Sequence, residues 1–233
     1  MHGKHASGME RRSETGERGL RRASAWAGIV APILFVALVA VESLLRPGYS
    51  QIADWVSYLG YGPNAALQDL NFLLFGSLSI VVAIGLGAAL PRTRAASAQR
   101  AERLVAVSGV AVMIAGGSLL LVDALPAGVA FVTHTVASFV AFGAFLVAMS
   151  VTARSLKDAD GAAWGRYRRF SRWSAWIGAV LLATFVATMF GPYAGLTERL
   201  LIATLLIWIE GTGWKLHSGV SRPLPRTEAP EAA

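Results

Sequence analysis

The chain contains no cysteine. Disulfides, thiolate metal sites and cysteine nucleophiles are therefore excluded. Histidine is scarce too: of four, His2, His5 and His217 lie in flanking segments and only His134 falls inside an apolar run. A metal-dependent hydrolase needs several imidazole or carboxylate ligands, so no metal site, cofactor or catalytic residue is assigned. There is no glycine loop ending in Lys-Ser or Lys-Thr, which removes a phosphate-binding-loop ATPase. Pro32 is the only proline well inside an apolar run, whereas a transporter built on paired broken helices needs matching interruptions in its two halves. Charge is sparse as well. Charged residues make up 15% of the chain, against about a quarter in soluble domains. The shortfall comes from long charge-free stretches, which read as membrane spans.

Six runs reach the roughly 20 residues that a bilayer crossing needs. They are Ala25–Leu45, Leu67–Leu90, Leu104–Val122, Ala130–Thr152, Phe170–Phe190 and Leu196–Leu216. The first follows a basic start but is too long for a signal-peptide core of about 7–15 residues, so it reads as an uncleaved helix. The expected fold class is all-α: a polytopic membrane protein with a six-transmembrane-helix bundle, and a short amphipathic helix between helices 1 and 2. Residues 1–23 read as a disordered basic tail, 24–217 as the transmembrane domain and 218–233 as a second tail.

Net charge is +7. In a soluble chain that balance would suggest nucleic acid, but here basic segments alternate with spans and no nucleic-acid-binding fold is recognisable, so the expected partner is the lipid bilayer and no nucleic acid. Lys and Arg number six before the first run, four in the 91–103 connection, six in 153–172 and three from Lys215 onward; only Arg46 and Arg199 fall on the other side. This bias places both termini in the cytoplasm, with the protein multi-pass in the plasma membrane. The 153–172 segment interleaves its cations with Trp164, Tyr167 and Phe170. Attraction to an anionic lipid surface and plain positive-inside topology with an aromatic belt account for it equally.

The acidic residues are biased the opposite way: Glu42, Asp54, Asp69, Asp123 and Glu198 all fall on or near the outer side. Acidic residues do little to set orientation, so they either solvate that surface or line a site on it. Between the first two runs, Pro47-Gly48 signals a turn and Ser50 can cap a helix. Ile52, Trp55, Val56 and Leu59 then recur at helical spacing, with Asp54, Ser57, Tyr58 and Tyr61 on the other face. Gly60 and Gly62-Pro63 end the pattern. This predicts an amphipathic helix acting as a lid over an outward polar site. Asn71, deeper in helix 2, needs a polar partner in hydrocarbon. The short 124–128 connection puts Asp123 and His134 at similar depth on antiparallel neighbours, which predicts an Asp–His hydrogen bond. Thr197 is the expected cap of helix 6, Glu198 complements its positive end, and Arg199 pairs with one of Asp54, Asp69 or Asp123 or binds an anion.

The string PGYSQIADWVSYLG, Asn71, Asp123, His134 and the GLTERL start of the last helix resemble the uncharacterised bacterial membrane family called domain of unknown function 998. The resemblance runs from about Trp26 to Leu216. It implies a six-span membrane protein and supports grouping these residues; it carries no activity. The residues together point to a binding site for a lipid headgroup or small polar ligand, formed by Asp54, Ser57, Tyr58, Asn71, Asp123, His134 and Arg199 and serving sensing or transport. Two other readings are an intramembrane lipid hydrolase using Ser57, His134 and Asp123, and a membrane scaffold for a partner protein.

Overall fold

The computed structural model describes residues 3–121, 123–126, 128–157, 159 and 161–220. Six α-helices follow one another: α1 Gly3–Leu45, α2 Ala65–Ala89, α3 Ala95–Leu120, α4 Val129–Ser155, α5 Ala162–Thr188 and α6 Ala194–Val220. A five-residue 3₁₀ helix, Val56–Gly60, sits between α1 and α2, and a short one, Arg92–Arg94, precedes α3. No strand occurs among the described residues. Five helices, α1 from Arg18 through α5, are long and apolar enough to cross a membrane. The sixth has the length of α5 but carries Glu198, Arg199, Glu210 and Lys215. The expected helical membrane bundle is thus what the chain forms.

Each helix packs on its chain neighbours, and α6 returns to close against α1, giving a ring. Without a hydrophobic drive between helices in lipid, close backbone approach and interhelical hydrogen bonds hold such a bundle. Small residues supply the approach at two crossings. Gly28 of α1 lies against Gly213 of α6, where a Cβ on Gly28 would stand 2.8 Å from the Gly213 Cα. Gly76 of α2 faces Gly109 of α3, where a Cβ on either would fall within 2.6 Å of the other's carbonyl oxygen. Hydroxyls supply polar ties: Ser24 Oγ donates to Val81 O at 2.7 Å, Ser108 Oγ to Ala141 O at 3.0 Å, and Trp208 Nε1 to Ser171 Oγ at 3.1 Å. The loosest member is α5, whose apolar window is 28% buried against 39–44% in α1–α4.

Two expectations about the ends need correction. The stretch through Ala23 was expected to lack regular structure, yet α1 begins at Gly3. Extending an existing helix needs no new nucleus, and the segment offers good helix formers. Similarly, α5 starts at Ala162, eight residues before its apolar run, because the intervening Arg and Tyr residues oppose burial in lipid but not helix formation. Residues 1–2 and 221–233 of the expected tails lie outside the described residues.

The segment after α1 is not one amphipathic helix. A turn at Ser50–Asp54 is closed by Asp54 N–H on Ser50 O at 2.8 Å and Ala53 N–H on Ser50 Oγ at 3.2 Å. Trp55 is then extended, at φ −62° and ψ 148°, and only Val56–Gly60 coil as 3₁₀. The faces differ accordingly: Val56, Ser57 and Leu59 are buried, while Ile52 and Tyr58 are exposed. Tertiary partners override the helical period. Gly195 N–H donates to Ala53 O and Leu196 N–H to Ile52 O, so the turn satisfies orphan donors at the start of α6. In exchange, Val56 N–H donates to the Glu198 carboxylate. Thr197, expected to cap α6, lies inside its first turn and instead meets Thr188 Oγ1 of α5 at 2.8 Å.

Candidate functional site

His134 occupies the second turn of α4 and is buried. Its Nδ1 lies 3.0 Å from Ala115 O of α3, and Nε2 lies 3.4 Å from Ser138 Oγ one turn along α4. A carbonyl only accepts, so Nδ1 carries the proton and Nε2 of the neutral ring is left as an acceptor. The ring packs beside Phe72, with centroids 5.9 Å apart. The expected Asp123–His134 bond is absent. Asp123 lies beyond the end of α3 at Leu120, exposed in the connecting turn, while the imidazole turns inward to a carbonyl more than a turn below. A Ser57–His134–Asp123 triad is therefore not assembled, and a backbone carbonyl does the orienting that Asp123 was expected to do.

Residues from two other segments line the same space as His134. Ser57 points inward from the 3₁₀ helix, and Glu198 reaches in from the first turns of α6. Ser57, His134, Ser138 and Glu198 line a cavity of about 60 Å³ whose remaining walls are aromatic and aliphatic, among them Phe35, Phe72 and Phe145. The same four line a second cavity of about 160 Å³ that reaches outward between Phe131, Thr135 and Phe139 of α4 and Phe185 of α5 with Met189 and Phe190 just beyond its end. The smaller space has room for only a few waters, each of which needs about 10–15 Å³ of it. The larger leads from the polar group to the side of the bundle, where Phe131 and Phe190 are exposed.

The remaining predicted site residues are placed elsewhere. Asp54 and Tyr58 border a separate shallow groove with Phe190 and Ala194; the Asp54 carboxylate accepts Ser50 N–H at 2.7 Å, and Arg46 covers the Tyr58 ring at 5.0 Å. Asn71 finds the partners it needs: Nδ2 donates to Phe35 O and to Gln68 Oε1, both at 3.2 Å, tying α1 to α2. Arg199 pairs with none of the three carboxylates. Its Nη1 donates to Asp54 O at 2.7 Å and Gly195 O at 3.0 Å, its Nη2 donates to Tyr49 OH, and the guanidinium sits over the Tyr49 ring at 5.4 Å. Burial pushes the Tyr49 phenol above its ordinary pKa, and Arg199 pulls it back. Of the expected site residues, Ser57 and His134 line the same cavities; Glu198, expected only among the outer acidic residues and as a first-turn anion, and Ser138 line them too. A signal for Glu198 was present: adjacent residues on a helix point about 100° apart, so Glu198 and Arg199 must face different surroundings.

A second polar group lies between α1, α2 and the connecting segment. Glu42 and Asp69 are 3% and 2% exposed, yet both Glu42 carboxylate oxygens, Asp69 Oδ1 and the Tyr61 hydroxyl lack hydrogen-bond partners. Glu42 feels the charges of Asp69 and Arg46. Burial, then the Asp69 charge, raise the Tyr61 phenol above its ordinary pKa. A buried carboxyl with no donor costs stability. Glu42→Gln keeps the volume and relieves the repulsion from Asp69, so it is expected to stabilise the fold by about 1 kcal/mol. Thermal unfolding in detergent checks this; a fall in melting temperature would show that the Glu42 charge is needed, with Arg46 as its counterpart.

Among the described residues, no three His, Asp or Glu converge as metal ligands. No curated protein and no solved structure matches the chain. A family model does, covering residues 29–215, which include the 3₁₀ helix, His134 and Glu198. The chain thus belongs to the family described as protein of unknown function (DUF998).

Proposed function

We propose that this protein binds the polar head of a membrane amphiphile at Ser57, His134 and Glu198, and does so from the outer leaflet of the plasma membrane. The basic residues that flank the opposite end of the bundle support the outward orientation. One observation carries the reading: three polar side chains from three separated segments line the same two cavities, one small and one leading sideways between α4 and α5. Polar groups gathered at hydrocarbon depth are costly and are placed for a purpose. A carboxylate and an imidazole acceptor favour a head that donates hydrogen bonds, an amine or hydroxyl. The aromatic walls between α4 and α5 suit its apolar tail.

The smaller cavity is far below the roughly 300 Å³ typical of ligand sites. Entry therefore requires the α4–α5 seam to widen, and α5 is the least buried of the five apolar helices. Sensing and transport both follow from a site whose occupancy moves α5.

The test uses a diazirine-bearing phosphatidylethanolamine in nanodiscs containing the full chain. Photo-crosslinks are expected to concentrate on Phe139, Phe185 and Met189, and Glu198→Gln should lower their yield about tenfold. Thr135→Trp, which fills the mouth from a half-buried position, should abolish them while leaving the melting temperature unchanged. Crosslinks spread evenly over all lipid-facing helices, and indifferent to both substitutions, would overturn the proposal.

A further inference from the structure

At the opposite end of the bundle, α4 and α5 enclose a larger cavity of about 490 Å³, within the size range of ligand sites. Five cations line it: Arg94 from the α2–α3 connection, Arg154 and Lys157 from the end of α4, and Arg168 and Arg172 from α5. No carboxylate lines it among the described residues. Its lower wall is Trp176, Ala175 and Ala179. Arg168, Arg172 and Trp176 stand at i, i+4 and i+8, on one face of α5. That face passes from two guanidinium groups to an exposed indole within two turns.

Positive-inside topology requires cations near span ends, but it does not require them to converge. Arg166 and Arg169 of the same segment satisfy the rule without lining the cavity. Arg154 and Lys157 at the end of α4 and Arg168 and Arg172 of α5 do converge there and repel one another, a cost that an anion offsets. Arginine forks match phosphate oxygens with paired hydrogen bonds. Basic pockets between transmembrane helices are recognised sites for anionic lipid head groups. We infer that this cavity binds the phosphate of an anionic phospholipid in the leaflet at the basic end, with Arg154, Arg168 and Arg172 holding the phosphate and Trp176 meeting the acyl region. A lipid, rather than free phosphate, fits because the cavity continues past its cations onto the apolar flank of α5.

The test compares two variants that lose the same charge. The full-length protein is exchanged into vesicles of phosphatidylcholine with one-fifth cardiolipin, extracted, and examined for retained lipid by native mass spectrometry. R168Q/R172Q is expected to lower cardiolipin retention about tenfold, and R166Q/R169Q to leave it within twofold of the parent. Thermal unfolding of both variants establishes that each is folded. R172K, at an exposed position, keeps the charge and is expected to retain most of the lipid even where the double variant is unstable. Equal losses from the two doubles would mean general surface attraction and would overturn the site, as would no loss from either. Inorganic phosphate at millimolar concentration, added without lipid, forms the second arm. Stabilisation by phosphate as large as that by cardiolipin, and equally sensitive to R168Q/R172Q, would overturn the lipid as occupant.

Discussion

Replacing Gly109 by Ala should cost this protein about 3 kcal/mol, and Gly76→Ala about the same, an overpacking penalty at the upper end of its usual range. The added methyl would lie 2.6 Å from a carbonyl oxygen of the facing helix in one case and 2.5 Å in the other. No side-chain rotation relieves a clash with backbone, so α2 and α3 must separate, and this crossing is among the most closely packed in the ring. Because each glycine presses on the other's carbonyl, the two costs are not independent. Once one methyl has separated the helices, the second has room. The double variant should therefore lose clearly less than the sum of the singles, as contacting pairs do. Gly143 of α4 provides the control: nothing approaches a Cβ there, and alanine is the better helix former by about 1 kcal/mol, so Gly143→Ala should raise stability. Unfolding of the four variants in one detergent checks all of this. Strict additivity of the two α2–α3 substitutions would show that each acts within its own helix.

The contrast between these glycines explains how much was legible in the chain. Spans are a property of run length and composition, so their existence and order follow from the sequence; α2 begins two residues, and α4 one residue, before its apolar run. Which small residues pack is a property of the partner helix. Gly109 and Gly143 look alike in sequence, and only one meets a backbone. The site divides in the same way. His134 was identifiable because an ionisable residue inside a span is costly. Its partner was not, because equal depth across a short connection was inferred as though both helices ran intact to their ends. Instead, α3 stops at Leu120 and Asp123 emerges into the turn. The acidic bias at that end did hold information, unevenly: Glu42, Asp69 and Glu198 are buried, whereas Asp123 is exposed. Period-based reading failed at residues 50–60 because α6 competes for the same backbone groups. Its first N–H groups draw on the carbonyls of Ile52 and Ala53, and its Glu198 takes the Val56 N–H. No local pattern encodes a partner some 140 residues away.

That long-range competition makes Arg199 the residue on which the connecting segment most depends. Substitution by Met removes donors to two carbonyls and to the Tyr49 hydroxyl together, and hydrogen bonds involving a charged group contribute about 1.5–3 kcal/mol each. One of these bonds is internal to α6, so the expected loss is about 3 kcal/mol rather than the full sum, and it should be local. Amide hydrogen exchange is expected to accelerate about 100-fold across residues 50–60, as about 3 kcal/mol requires, while protection in α3 and α4 stays unchanged. Lysine should recover only part of it, since an ammonium cannot span carbonyl and phenol as the planar fork does. Tyr49→Phe, which removes one acceptor, should cost about 1 kcal/mol. The functional consequence follows from chain connectivity. Ser57 is carried on the same segment, so releasing it displaces one of the four polar groups of the cavity while His134 stays fixed on Ala115 O. Arg199→Met is therefore expected to lower phosphatidylethanolamine crosslinking at Phe139 and Met189 without touching the cavity itself. A variant that loses protection at 50–60 yet crosslinks as the parent does would show that the head group is held by α4 and α6 alone, and would remove Ser57 from the site.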